Sequence, residues 1–314
     1  MKRGLISWDK VQLPPAAFDA RLEIINRQCE QLDVPAIVAY SDVWRSNDVR
    51  YISNYMPYWN RALTVVPRGE KPILLCSLSP RVYPWIKSVT IHEVIVASPS
   101  LPVQIAKLCA ERGWTRIGLL DLEGLPNDLY TQLKAGSVQI VDVPRDQVRR
   151  TAADSELAMY RRAAQVARRV LGEEIAKGGA GLRDYELVGR LERNFRRAGA
   201  EDLVVLVSDG RTVPLPASGK PVGANSSVTV ALELNGHWAK LSRNLAGTAC
   251  KLPPPAGAPV HLEKLSGPYT WEGISSLDEA AGAVVALQVE INSGGQRLYY
   301  GDTGLQGRGG LELL

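Results

Sequence analysis

Apolar positions in the first 145 residues follow two periods in turn. A helical period predicts one amphipathic helix from the spacings of four, three, four and three residues between Phe18, Leu22, Ile25, Cys29 and Leu32. Short apolar runs that are typical of buried strands follow, namely AIVAY, ALTVVP, PILLCS, EVIVAS, RIGLLD and VQIVDV. Helical stretches lie between several of these runs. The alternation predicts an α/β domain with a parallel or mixed sheet over residues 1–147.

The pattern changes after residue 147. Two long helical stretches come first, with one face of the first formed by Leu157, Tyr160, Ala164, Ala167, Leu171 and Ile175. Strand patterns then dominate to the end of the chain, with a last pair in GAVVALQVEINS and QRLYYGDTGLQ. Two helices followed by mostly antiparallel strands predict a separate α+β domain over residues 148–314.

The strongest local signal is the pair Asn235-Gly236, which favours a type I′ turn because both central residues of that turn need a positive φ. We predict a hairpin with strands over residues 228–234 and 237–245. Lys240 lies on the return strand. A lysine in a buried hairpin must reach solvent or pair with a carboxylate, so its partner bears on function.

Composition limits the function classes. Hydrophobic residues make up 45% of the 314 residues and charged residues 22%, which is typical of a globular protein. Arginines cluster in helical stretches such as YRRAAQVARRV, and two interpretations are a solvated helix face and a nucleic-acid stripe. Because aromatic residues do not alternate with these arginines, we expect no nucleic-acid partner. No strand is followed by a glycine-rich phosphate loop, so the sequence does not support nucleotide binding.

The cysteines and the apolar runs bear on location. Four cysteines are scattered without CxxC spacing, which favours reduced, buried thiols over disulfides or a zinc site. No apolar run approaches the roughly 18 residues of a membrane span, so we expect no membrane partner. The first residues lack the apolar core of a secretion signal. We therefore expect a cytoplasmic protein.

The order of elements resembles that of the creatinase and Xaa-Pro aminopeptidase family. The resemblance rests on the helix TAADSELAMYRRAAQVA, the helix start from Gly181 to Asp184, the hairpin, and the final segments LQVEINSGG and YYGDTGLQGRGGLELL. It covers nearly the whole chain. It implies a pita-bread fold for the C-terminal domain, shortened between Lys240 and the last strands, and a homodimer.

Metal-dependent members of that family hold two ions with two aspartates, a histidine and two glutamates. Counting from Gly236, the resemblance aligns the aspartates with Thr229 and Lys240, and the histidine has no counterpart. It aligns the glutamates with Glu290 and Gly301. One ligand of five remains, and hard divalent ions need several converging oxygen ligands. We therefore expect no metal and no other cofactor.

Creatinase chemistry does not carry over either. Creatinase cleaves a C–N bond without metal, and the resemblance implies a catalytic histidine on the loop before the hairpin. Here that loop reads SDGRTVPLPASGKPVG and contains no histidine.

Lys240 is left with three interpretations. It neutralises Glu290 as a counter-charge inside a core, or it acts on a ligand as an anion clamp or proton-transfer group, or it is an ordinary surface lysine. In the first two, Lys240 and Glu290 face each other across one cavity. Arg243 and Asp302 complete a polar cluster there. We expect Lys240 and Glu290 to be catalytic in the second interpretation and Arg243 and Asp302 to bind substrate.

His261 and Glu263 lie in a segment without clear periodicity, and Trp271 follows them. A histidine beside a carboxylate is a candidate general base, and a loop histidine in contact with solvent is the alternative. Glu263 and Trp271 are then candidate substrate-binding residues. The resemblance also implies that Trp59 and Arg61 reach the active site of a partner subunit, where they would bind substrate; packing in a core explains Trp59 equally well.

Three function classes follow. A metallo-aminopeptidase is disfavoured by the missing ligands. A metal-independent enzyme would act on a small polar amino-acid-like or amide substrate in a rebuilt pocket. A non-catalytic relative would bind a ligand or protein partner. We expect the second, because the predicted cavity keeps polar groups of both signs.

Overall fold

The computed structural model describes residues 7–57, 59–149, 154–179, 181–248, 250–252, 254, 259–267 and 271–314. The chain forms two compact units, Lys2–Arg150 and Thr151–Leu314. Among the described residues, no helix is long and apolar enough to span a membrane. The cysteines are free thiols, and all except Cys250 are buried.

The N-terminal unit is an α/β structure with a six-stranded sheet in the order β4-β3-β2-β1-β5-β6. Its elements are α1 (Pro15–Gln31), β1 (Ala36–Ser41), α2 (Asn47–Ser53), β2 (Ala62–Pro67), β3 (Ile73–Cys76), α3 (Tyr83–Val89), β4 (Val94–Ala97), α4 (Leu101–Arg112), β5 (Arg116–Leu120), α5 (Asn127–Lys134), β6 (Gln139–Val143) and α6 (Arg145–Val148). β2 is antiparallel to β1 and β3, and the other pairs are parallel. The predicted mixed sheet is confirmed.

Strand β1 has an almost wholly apolar sequence because both of its faces are covered. Ile37 and Ala39 pack into a core with Ile25 of α1. Ala36 and Val38 point the other way and pack into a second core with helices α4 and α5. Because successive side chains of a strand point to opposite faces, a strand covered on both faces reads as a continuous apolar run.

The C-terminal unit is an α+β structure with an eight-stranded sheet. The path of the sheet is β11-β10-β12-β13-β9-β8-β7, and β14 pairs with β13. Its elements are α7 (Asp154–Ala176), α8 (Asp184–Arg197), β7 (Asp202–Ser208), β8 (Ser227–Leu234), β9 (His237–Asn244), β10 (Val260–Lys264), β11 (Glu272–Ile274), β12 (Val284–Ser293), β13 (Gln296–Gly307) and β14 (Gly310–Leu313). The loop position that one interpretation gave to His261 is wrong, because the structure places it on β10, although the residue is exposed to solvent.

The predicted hairpin is confirmed. Asn235 and Gly236 connect β8 to β9 with φ values of 50° and 80°, as a type I′ turn requires. Both strands pack against α7 and α8 through Val228, Val230 and Leu241, in a core that also contains Tyr160 and Phe195. The alternate residues of β8 and β9 point to the opposite face.

Strands β9 and β13 connect the two halves of this sheet. Within the described residues they are in register at one pair, Ser242 with Gly301. By contrast, β8 pairs with β9 along its whole length, and β12 pairs with β13 from Val284 to Ser293.

Candidate functional site

A row of residues runs in register across five strands of the C-terminal sheet. His261 lies opposite Gln288, Gln288 opposite Gly301, Gly301 opposite Ser242, and Ser242 opposite Thr229. Residues directly opposite each other in antiparallel strands share a face of the sheet. We call this face, which carries the side chains of Thr229, Ser242 and Gln288, the polar face.

Three neutral side chains at the centre of the polar face contact one another, and we call them the hydroxyl–amide cluster (Thr229, Ser242 and Gln288). The Thr229 and Ser242 hydroxyl oxygens are 2.8 Å apart. The Gln288 amide nitrogen donates to Thr229 Oγ1 at 2.9 Å and to Ser242 Oγ at 2.7 Å. Both hydroxyl residues are buried. Gln288 was not among the predicted site residues, although strand alternation places it on the same face as Glu290.

Lys240 pairs with Glu263 on the polar face. Its Nζ lies 2.8 Å from both carboxylate oxygens of Glu263, and it also lies 5.6 Å from the centre of the Trp271 ring. Both residues share the face of the row, since Lys240 is two residues from Ser242 and Glu263 two from His261. The expected pairing of Lys240 with Glu290 is therefore wrong.

Glu290 instead interacts with its own hairpin. Arg297 donates to its two carboxylate oxygens at 3.1 and 2.7 Å, and the Tyr299 hydroxyl donates at 3.2 Å. These contacts arise because Tyr299 lies opposite Glu290 in the register of β12 and β13. The hydrogen bonds from Arg297 hold the pKa of Glu290 below its ordinary range. Glu290 is a weak proton acceptor in this state.

Arg243 and Asp302 lie on the opposite face of the sheet, because each follows a residue of the row. The Asp302 carboxylate is buried and accepts hydrogen bonds from Arg168 of α7 at 3.0 and 2.7 Å and from Arg243 at 2.7 Å. The expected cavity that joins Arg243 and Asp302 to Lys240 and Glu290 is therefore wrong. Arg168 was missed because its segment was interpreted as a solvated helix face.

Aromatic residues surround the Lys240–Glu263 pair. Trp238 and Trp271 form an edge-on contact with ring centres 5.0 Å apart. Trp271 has a φ of 70°, which non-glycine residues seldom adopt, and its amide donates to the Lys264 carbonyl at 2.8 Å. His261 is exposed on the same face as Glu263.

Arg61 and Trp59 belong to the N-terminal unit. Arg61 forms an exposed ion pair with Asp128 at 2.5 Å. The side chain of Trp59 is 63% exposed, so packing in a core does not explain this residue.

The four positions that the resemblance aligns with metal ligands do not fit two divalent ions. They carry a hydroxyl at Thr229, an ammonium at Lys240, a carboxylate bound by arginine at Glu290, and no side chain at Gly301. A Cβ added to Gly301 would lie 2.5 Å from the Leu287 carbonyl oxygen, so the backbone leaves no room for a carboxylate there. Within the described part of the chain, no three His, Cys, Asp or Glu residues are placed to hold a metal ion.

Comparison with known proteins gives likeness in structure alone. No protein-family model matches the sequence, and no curated protein matches it. An Xaa-Pro dipeptidase from Bacillus anthracis superposes with a TM-score of 0.70 at 15% identity, over 94% of this chain and 97% of that one. An X-Pro aminopeptidase from Thermotoga maritima gives 0.71 at 14% identity over 93% and 96%. A prolidase from Pyrococcus furiosus gives 0.67 at 16% identity over 93% and 98%.

The superpositions confirm the fold that the resemblance implied. The chain has an α/β N-terminal domain followed by a pita-bread domain. At these identities the likeness establishes architecture, and activity has to be argued from the side chains on the polar face.

Proposed function

We propose that the polar face of the pita-bread domain binds a small amino-acid-like or amide compound without divalent metal ions. The observation that carries the proposal is the ion pair of Lys240 and Glu263. It offers a cation and a carboxylate side by side, at a position where the resemblance places a metal ligand. A zwitterionic ligand presents the complementary charges, with its carboxylate to Lys240 and its ammonium to Glu263.

The surroundings support an organic ligand. Trp238 and Trp271 supply aromatic surface beside the pair, and an aromatic face attracts an ammonium group. Charge-assisted hydrogen bonds are about twice as strong as neutral ones, so exchanging the internal pair for two ligand contacts is feasible. Two of the solved structures named above are called an Xaa-Pro dipeptidase and an X-Pro aminopeptidase, and a ligand that resembles an amino acid is consistent with those names.

A more specific form of the proposal is that the domain also catalyses a reaction of the bound ligand. His261 shares a strand and a face with Glu263, and histidine is the side chain that most often transfers protons in catalysis. In this form His261 accepts a proton from water as the water oxygen bonds to the carbonyl carbon of the ligand, and it gives that proton to the amine nitrogen as the C–N bond breaks. Lys240 holds the ligand. The alternative is a non-catalytic protein. It is favoured by the internal pairing of Lys240 with Glu263 and of Glu290 with Arg297, which leaves Glu290 unsuited to proton transfer.

Calorimetric titration in EDTA tests the binding. The panel contains amino and imino acids, guanidino compounds, small amides and Xaa-Pro dipeptides. We expect one class to bind the wild type, no binding to Lys240→Met, and wild-type affinity in Lys107→Met, which removes an exposed lysine of the N-terminal unit. Loss of binding in EDTA, or equal binding by Lys240→Met, would overturn the proposal.

Product analysis separates the two forms. The compound that binds is incubated with the wild type and with His261→Gln, and release of amine is measured. Release by the wild type that His261→Gln lacks supports the enzyme. Binding without release supports the non-catalytic alternative.

We also propose the homodimer that the resemblance implies, with Trp59 and Arg61 near the partner subunit. The exposure of Trp59 supports this arrangement, since tryptophan is enriched in protein–protein interfaces. Light scattering after size exclusion is expected to give twice the mass of 34.2 kDa for the wild type and a lower average mass for Trp59→Ser.

A further inference from the structure

We infer that the hydroxyl–amide cluster recognises a neutral amide group of the ligand. This inference rests on the proposed function, because it names the substrate class at the same face. The resemblance gives none of these three residues a role in binding an organic molecule.

Counting donors and acceptors in the cluster leaves one hydroxyl hydrogen, one hydroxyl lone pair and the whole Gln288 carbonyl oxygen unused. The Gln288 amide nitrogen donates to both hydroxyl oxygens. One hydroxyl donates to the other, so one hydroxyl hydrogen has no acceptor among the described residues. The Gln288 carbonyl oxygen Oε1 likewise accepts no hydrogen bond there.

Two of the unused groups have opposite roles, because the hydroxyl hydrogen is a donor and the Gln288 carbonyl oxygen is an acceptor. A hydroxyl hydrogen matches a carbonyl oxygen, and the Gln288 carbonyl oxygen matches an N–H group. An amide carries both in one plane, with its oxygen and nitrogen about 2.3 Å apart by ordinary covalent geometry. A carboxylate meets the hydroxyl and is repelled by the Gln288 oxygen. The cluster therefore selects an amide over the acid of the same shape.

A purely structural role explains the cluster less well. Thr229 and Ser242 are 97% and 99% buried, and one of their two hydroxyl hydrogens has no acceptor among the described residues. A pair of apolar side chains at these two positions would leave no donor unused. The partial exposure of Gln288 leaves its carbonyl oxygen accessible to a ligand.

The distance from the hydroxyl–amide cluster to the Lys240–Glu263 pair limits which ligands can contact both. Ser242 and Lys240 are two residues apart on one face of β9, so their Cα atoms are about 6.6 Å apart. One ligand reaches both if its charged group and its amide are separated by a few bonds. Glutamine, asparagine and dipeptides have this spacing.

Titration calorimetry in EDTA tests the inference with matched ligands. Glutamine is compared with glutamate and with methionine, which has similar length and no amide, and asparagine is compared with aspartate. We expect the wild type to bind the amide about 10-fold more tightly than the acid, because one or two hydrogen bonds usually contribute about that much binding free energy. Thr229→Val, Ser242→Ala and Gln288→Met are expected to weaken amide binding about 5- to 10-fold and to remove the preference.

Two controls keep the outcomes distinct. Gln139→Met, on an exposed strand position of the N-terminal unit, is expected to behave like the wild type. Each variant is melted by circular dichroism, and the selectivity of the wild type tests the inference even if a variant fails to fold.

Equal binding of amide and acid by the wild type, with both lost in Lys240→Met, would overturn the inference and leave the proposed function standing. If Thr229→Val and Gln288→Met keep the amide preference, the inference is also overturned. If the wild type binds no compound of the full panel, the proposed function itself fails.

Discussion

Lys240 and Glu263 pair at 2.8 Å although two strands, β13 and β12, lie between the strands that carry them. Three steps of about 4.8 Å between neighbouring strands amount to roughly 14 Å, which an extended lysine and glutamate can span. Small residues lie beneath the pair. Ala286 is opposite Glu263, and Thr303 is opposite Ala286 and contacts the Lys240 backbone. The ion pair therefore bridges the halves of the sheet.

The first prediction concerns how much the Lys240–Glu263 ion pair contributes to the free energy of unfolding. The side chains of Lys240 and Glu263 are 17% and 27% exposed, so removing one leaves a poorly solvated charge on the other. We expect Lys240→Met to lower the free energy of unfolding by about 1–3 kcal/mol in urea titrations. The double variant with Glu263→Gln is expected to recover most of that loss. Additive losses in the double variant would show that the two side chains are not coupled.

The second prediction concerns Asp302. Its buried carboxylate is held by Arg168 and Arg243, so removing Arg168 leaves the charge half compensated. We expect Arg168→Gln to lower the free energy of unfolding by about 2–4 kcal/mol. The neighbouring Arg169→Gln removes an exposed pair with Glu173 and is expected to cost about 0.5 kcal/mol or less. Similar losses in the two variants would contradict the buried network.

The third prediction concerns Gly301. A methyl group there would lie 2.5 Å from the Leu287 carbonyl oxygen, so strands β12 and β13 would have to separate. We expect Gly301→Ala to lower the free energy of unfolding by about 1–3 kcal/mol. Gly273→Ala, on β11 with no atom within 4 Å of the added carbon, is the control and is expected to be nearly neutral. Unchanged stability of Gly301→Ala would mean that the strands leave room for a side chain at this position.

The fourth prediction is a pH dependence in the N-terminal unit. His92 is fully buried between Thr64 and Thr90, and burial lowers its pKa from 6.5 to about 3. Below pH 6.5 the unfolded chain binds a proton at His92 that the folded chain does not bind until about pH 3. Stability from this group is therefore complete above pH 6.5 and is lost as the pH falls towards 3.

Urea titrations between pH 7.5 and 5 measure this effect, because most carboxylates stay charged in that range. His92→Gln is expected to show a flatter dependence than the wild type. His261→Gln, which removes an exposed histidine, is expected to keep the wild-type slope. A wild-type slope in His92→Gln would assign the pH dependence to other groups.

Local sequence signals predicted the elements well. Asn235-Gly236 determines a turn within four residues, and apolar periods determine the long helices because each depends on neighbours along the chain. The short helices α2 and α3 and the strands β10, β11 and β14 gave weaker signals, since few residues in each repeat a period.

Long-range partners were predicted poorly. The alignment of Lys240 with a metal-ligand position depended on counting along one hairpin, and the register of β8 and β9 agrees with it. Its partner depended on which strands lie between, and Glu263 belongs to a strand that was not predicted. Asp302 was placed in the cavity by its sequence neighbour Gly301. Strand alternation alone places the two on opposite faces, so this error was avoidable.

The single registered pair between Ser242 and Gly301 has a consequence for how the pita-bread domain opens. Each hairpin, β8–β9 and β12–β13, is held by a continuous ladder, while the junction between β9 and β13 has one registered residue pair among the described residues. Amide hydrogens inside the two hairpins should then exchange with deuterium as two slow units, and those along the junction should exchange sooner. The Lys240–Glu263 bridge and the hydroxyl–amide cluster both cross this junction. We therefore expect a bound ligand to slow hydrogen exchange along this junction more than elsewhere in the sheet.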